Sequence, residues 1–91
     1  MSAPDTARLK RLSMRSWRRG TKEMDLILGP FADARLAAMA PEMLERYEAL
    51  LCENDQDLYP WMTGAVPAPA AHAGLIAEIS DFLRSHRAAA R

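Results

Sequence analysis

The chain is 91 residues long, which is room for one domain and one hydrophobic core. Apolar residues make up 49% and charged residues 26% of it, a globular balance that argues against a disordered or membrane-spanning protein. Formal charge sums to +0, so the molecule as a whole has no pull toward nucleic acid or anionic lipid, and a charge-driven partner must meet a local patch.

Such patches exist. Between residues 5 and 22 seven basic side chains stand against one acid, and between residues 41 and 57 six acids stand against Arg46 alone. Apolar residues recur three or four apart along the chain, and nowhere do β-branched and polar residues alternate. The fold class read from this is all-α: a small five-helix bundle, a single domain over residues 1–91 with an ordered core at about 6–87.

In chain order, the first helix is predicted over residues 6–18, with Asp5 as N-cap and Leu9 and Leu12 on its apolar side. Gly20 breaks it. Met24, Ile27, Leu28, Phe31 and Ala34 share one face of a second helix. Gly29-Pro30 predicts a kink or short break within it, because proline donates no amide and crowds the preceding turn. The third helix opens on Pro41, with Glu42 and Glu45 near its positive end and Met43, Tyr47, Leu50 and Leu51 as its stripe. Asp55 is the predicted cap of a short fourth helix carrying Leu58, Trp61 and Met62, stopped at Thr63-Gly64. Residues 66–71 alternate proline and alanine as a stiff connector, and Leu75, Ile76, Ile79, Phe82 and Leu83 define the last helix.

The inventory for catalysis is poor, and no catalytic residue or metal ligand is assigned. His72 and His86 lack acidic or thiol partners at ligand spacing and read as structural or solvated. Asp55 and Asp57 are explained by capping and a solvated acidic turn. Cys52 is the only cysteine, which excludes an intrachain disulfide, and beside Leu50 and Leu51 it reads as a core thiol in a reducing compartment. With no long apolar run and no secretory h-region, and with an Arg-rich start too short and too soon helical for a presequence, the expected compartment is the cytoplasm and no membrane insertion is expected.

Two motifs remain. Arg19, Gly20 and Glu23 form Arg-Gly-x-x-Glu between the first two helices, and Asp55, Asp57, Leu58, Tyr59 and Trp61 follow the third. In sequence, order and spacing the chain resembles, over about residues 6–87, the succinate dehydrogenase assembly factors that promote flavinylation. The resemblance implies a non-enzymatic chaperone that docks on the flavoprotein subunit, with fumarate reductase left open as a second client. It implies no stably bound cofactor of its own: the chain acts on FAD of the partner, where a histidine of that partner attacks the 8α-methyl carbon. Arg19, Gly20 and Glu23 then form the docking site, Gly20 allowing close approach while Arg19 and Glu23 offer a fork donor and an acceptor.

Arg15, Arg18 and Lys22 extend that patch, Trp17 serves as interface anchor or core residue, and Asp57 and Tyr59 rim the same surface. The local alternative gives Gly20 a turn role, Glu23 a capping-box place at the third helical position, and Arg19 and Glu23 a surface pair. A rival function is a small nucleic-acid-binding regulator built on the basic helix, Gly turn and second helix. Against it, the second helix is apolar and the acidic third segment repels phosphate.

Overall fold

A computed structural model describes the backbone of residues 6–89 and the side chains of 6–86. It contains α1 Thr6–Trp17, α2 Lys22–Arg35, α3 Pro41–Leu51, α4 Asp55–Thr63 and α5 Ala70–Ala89, with a 3-10 turn at Leu36–Ala38. Among the described residues there is no strand, and the all-α five-helix architecture stands as read from the sequence.

Every helix feeds one core. Leu12 of α1, Leu28 and Phe31 of α2, Tyr47 and Leu50 of α3, Leu58 of α4 and Ile79 of α5 are each at most 1% exposed. Phe31 lies 5.8 Å from the Tyr47 ring and meets Phe82 edge-on at 5.6 Å, the tilted geometries that aromatic quadrupoles favour. One polar pair sits within this apolar mass. Ser16 Oγ donates to the Leu12 carbonyl at 2.8 Å, so the Tyr47 hydroxyl, 2.6 Å away, donates to Ser16. Both groups are thereby satisfied where an unpaired hydroxyl would cost about 1–3 kcal/mol.

Several expectations are corrected. Of the kink or short break expected at Gly29-Pro30, the break is absent: helix α2 continues through both residues. Ile27 and Leu28 before the proline and Phe31 and Ala32 after it are all buried, which offsets the lost hydrogen bond. The carbonyl of Leu26, left without a donor at residue 30, belongs to a residue 52% exposed. Ala34 is exposed, and Ala32 takes the buried position instead. The cap of α4 is Asn54 rather than Asp55, while Gly64, at φ 84, ends that helix as predicted. Helix α5 begins at Ala70, which shortens the connector. Cys52 is exposed rather than in the core. It falls one residue beyond the end of α3, where the chain is already turning and the apolar stripe no longer faces inward. The capping role expected of Asp5 lies outside the described residues.

Candidate functional site

The chain passes from α1 to α2 through the four residues that separate Trp17 from Lys22. So tight a reversal needs a backbone that L side chains avoid, and Gly20 supplies it at φ 108. Thr21 follows in extended geometry and caps α2, its Oγ1 accepting the Met24 amide at 3.3 Å. Glu23 is therefore the second residue of α2, one short of the place that a capping box requires. Its carboxylate is exposed, and no ion pair involves it among the described residues.

Arg19 points the other way. Its amide donates to Asp25 Oδ1 at 2.6 Å, and its side chain, only 11% exposed, runs into the turn between α3 and α4. There Nε and Nη2 close on Asp55 Oδ1 at 2.9 and 2.8 Å. Nη1 donates to the Leu51 carbonyl and Nη2 to the Glu53 carbonyl at 2.7 Å. The last carbonyls of a helix have no amide partner of their own, and the planar guanidinium satisfies one of them, Leu51, together with the Glu53 carbonyl in the turn beyond and a carboxylate. The surface pair of Arg19 with Glu23 is thus not formed, and Arg19 is not an outward fork. It is the clamp that joins the Arg-Gly-x-x-Glu turn to the acidic motif after α3. From α5, His72 grips the same turn, its Nε2 lying 3.0 Å from Glu53 Oε2 with its ring against Trp61 at 5.8 Å.

With the two turns held together, a hollow of about 300 Å³ opens beside Gly20, lined by Thr21, Glu23, Met24, Asp55, Gln56 and Tyr59. Glu23 and Tyr59 thus line one hollow together with Thr21, the residue that follows the exposed Gly20, and Arg19 is tied to its wall through Asp55. The other candidates fall elsewhere. Arg15 turns toward α3, with Nη1 3.9 Å from Glu48 and Nη2 3.8 Å from the Cys52 sulfur. Arg18 and Lys22 are exposed, and Asp57 is exposed without lining the hollow. Trp17, 39% exposed, lies flat on α2 with its indole N–H donating to Asp33 Oδ2 at 3.1 Å. That contact exists because residue 29 is glycine: a Cβ there would stand 2.3 Å from Trp17 Cδ2.

Sequence reasoning missed Asp25, Gln56 and Met24 as parts of this corner. Nothing local marks them, since their roles follow from which turns meet. The basic stretch that suggested nucleic acid is partly neutralised within the fold, Arg8 pairing with Glu48 at 3.0 Å.

The corner is assembled from two motifs distant in sequence, and known proteins share this stretch of chain. The family model described as flavinator of succinate dehydrogenase matches residues 10–83. The chain belongs to that family. Among curated relatives of this flavinator-family chain, succinate dehydrogenase assembly factor 2, mitochondrial, of Aspergillus terreus is 45% identical over 67 residues, 72% of this chain and 23% of the relative. The protein of the same name from Candida glabrata is 38% identical over 77 residues, 79% of this chain and 50% of the relative. That from Kluyveromyces lactis is 49% identical over 53 residues, 58% and 32% respectively. The chain thus spans between about a fifth and a half of the length of the curated relatives it matches.

The cytoplasmic expectation is overturned by these relatives, which are named as mitochondrial proteins. Compartment is set by addressing segments, on which the composition of a folded domain is silent. Among the described residues no helix is long and apolar enough to cross a membrane.

Proposed function

We propose that this chain is a succinate dehydrogenase assembly factor that docks on the flavoprotein subunit through the Gly20 corner and promotes covalent attachment of FAD there. The observation that carries the reading is the Arg19 clamp, which commits the motif's arginine to the inside of the fold and leaves Glu23 and Tyr59 on one open hollow, with Gly20 exposed in the turn that leads into it. Fumarate reductase remains open as a second client by the same docking.

In this reading the chain supplies no catalytic group and holds no FAD of its own. The hollow suits a dinucleotide poorly, because Glu23 and Asp55 would face its pyrophosphate. The nearby start of α2, otherwise a natural anion site, already carries Glu23 and Asp25 in its first turn. FAD supplies the reactive methyl carbon and the partner supplies the histidine; this chain holds the partner in a conformation that favours their approach.

The test is in-gel fluorescence of covalent flavin on the flavoprotein subunit after deletion of this chain, with rescue by wild type, Gly20→Ala and Gly20→Arg. A Cβ at Gly20 meets nothing within 4 Å, so alanine has room in the monomer, and both variants share the backbone cost of a side chain at φ 108, about 1–3 kcal/mol. Only Gly20→Arg adds bulk. Fluorescence is expected to vanish on deletion and to return with wild type and Gly20→Ala but not with Gly20→Arg. Covalent flavin that survives deletion would refute the function, and rescue by Gly20→Arg would move the docking site elsewhere.

A further inference from the structure

The hollow beside Gly20 is one end of a longer groove. A second hollow of about 320 Å³ shares Glu23 and Tyr59 with it and continues past Leu26 and Pro30 to Leu83. A third, of about 290 Å³, shares Ile27, Tyr59 and Leu83 with the second and is more polar, adding Thr63, Ser80 and Arg84. Leu26, at 52%, and Tyr59, at 43%, are among the most exposed large apolar side chains of the described residues. Both lie on this groove, an arrangement that marks protein contact surfaces more often than it occurs by chance.

The chemistry differs along the length. At the Gly20 end Asp55 is already taken by Arg19, whereas Glu23 stands over Met24 and Tyr59 without an ion pair among the described residues. An apolar wall topped by a carboxylate fits a Lys or Arg side chain, whose methylene stem packs while its head stays at the acid. Past Tyr59 the lining is Leu26, Ile27, Pro30 and Leu83 with His86 beside them, a largely apolar wall that fits apolar side chains.

We infer that this groove holds one segment of the flavoprotein partner, with a Lys or Arg at Glu23 followed by apolar side chains against Leu26, Pro30 and Leu83. The inference rests on the function proposed above and extends its docking site from the Gly20 corner to the junction of α2, α4 and α5. Continuity with that corner selects the partner as occupant over a second copy of the chain.

The test measures affinity of the full chain for the purified flavoprotein subunit, with folding of each variant checked by its thermal melt. Leu26→Arg and Glu23→Lys change exposed positions and should each weaken binding by about tenfold or more, as loss of an interface anchor does. Met14→Arg alters a comparably exposed residue, 48%, on α1 away from the groove and should stay within about twofold. A photo-crosslinking side chain in place of Leu26 should capture a partner peptide in which Lys or Arg adjoins apolar residues.

Wild-type affinity for both groove variants, with binding lost only in Gly20→Arg, would overturn the groove and leave the proposed function intact. Capture of an acidic peptide would overturn the assigned chemistry. A concentration-dependent dimer dissolved by Leu26→Arg would replace the partner by a second copy. Failure of the wild-type chain to bind the subunit at all would refute the proposed function and this inference together.

Discussion

Arg19, the arginine of the Arg-Gly-x-x-Glu sequence, faces inward. Its four side-chain contacts converge on Asp55 and on the carbonyls of Leu51 and Glu53. Truncation would leave a carboxylate and two carbonyls without their donor. Arg19→Ala should therefore lower stability by about 2–4 kcal/mol in urea melts, the range for breaking a largely buried ion pair and its hydrogen bonds. Arg19→Lys should recover only part of this, because an ammonium cannot reproduce the planar fork. A loss below about 0.5 kcal/mol would place the guanidinium among surface pairs, which contribute little. Loss of docking in an Arg19 variant is evidence about the interface only if that variant still melts like wild type. The sequence identified Arg19 as important but not its direction, since its acceptors lie more than thirty positions away.

At the scale of elements, the contact between α1 and α2 turns on Gly29. In an ordinary helix interior, glycine to alanine gains about 0.8–1.0 kcal/mol of propensity. Here the new Cβ would fall 2.3 Å from the Trp17 ring, and such overpacking costs typically about 1–3 kcal/mol. Gly29→Ala should thus destabilise the protein despite better helix propensity and shift the Trp17 fluorescence as the indole leaves Asp33. A stabilised variant would mean that the ring swings away freely. Gly29-Pro30 reads locally as a helix break because both residues are poor helix formers. Burial of Ile27, Leu28, Phe31 and Ala32 around them outweighs that local preference, whereas Gly64, with no such packing to override it, ends α4 as its type suggests.

For the whole molecule, Tyr47 ties stability to pH. Burial pushes its hydroxyl up from 10.0 to about 12, against the opposing positive charges of Arg19 and Arg15. The unfolded chain therefore ionises this group before the folded one does. Its contribution is full below pH 10, declines above it, and is lost as pH rises through about 12. About 2–3 kcal/mol should disappear across that window, and Tyr47→Phe should flatten this limb of the stability curve. An unchanged slope in Tyr47→Phe would assign the alkaline loss to other groups. The polarised charge of the sequence matters less to stability. Arg8 and Arg15 both approach Glu48, but their side chains are 27% and 42% exposed, so these pairs orient α1 on α3 and add little energy.

Helical class, the five apolar stripes and the glycine stop after α4 were determined by the sequence alone, because each depends on residues within a turn or two of one another. Family resemblance added the two motifs. Only the tertiary structure decided that Arg19 clamps Asp55, that Cys52 lies outside the core, that Asp57 stands apart from the corner, and that Glu23, Leu26 and Tyr59 line one groove. These are facts about which turns and faces meet, and pairing across long stretches of chain is set by the packing of the shared core, on which local periodicity is silent.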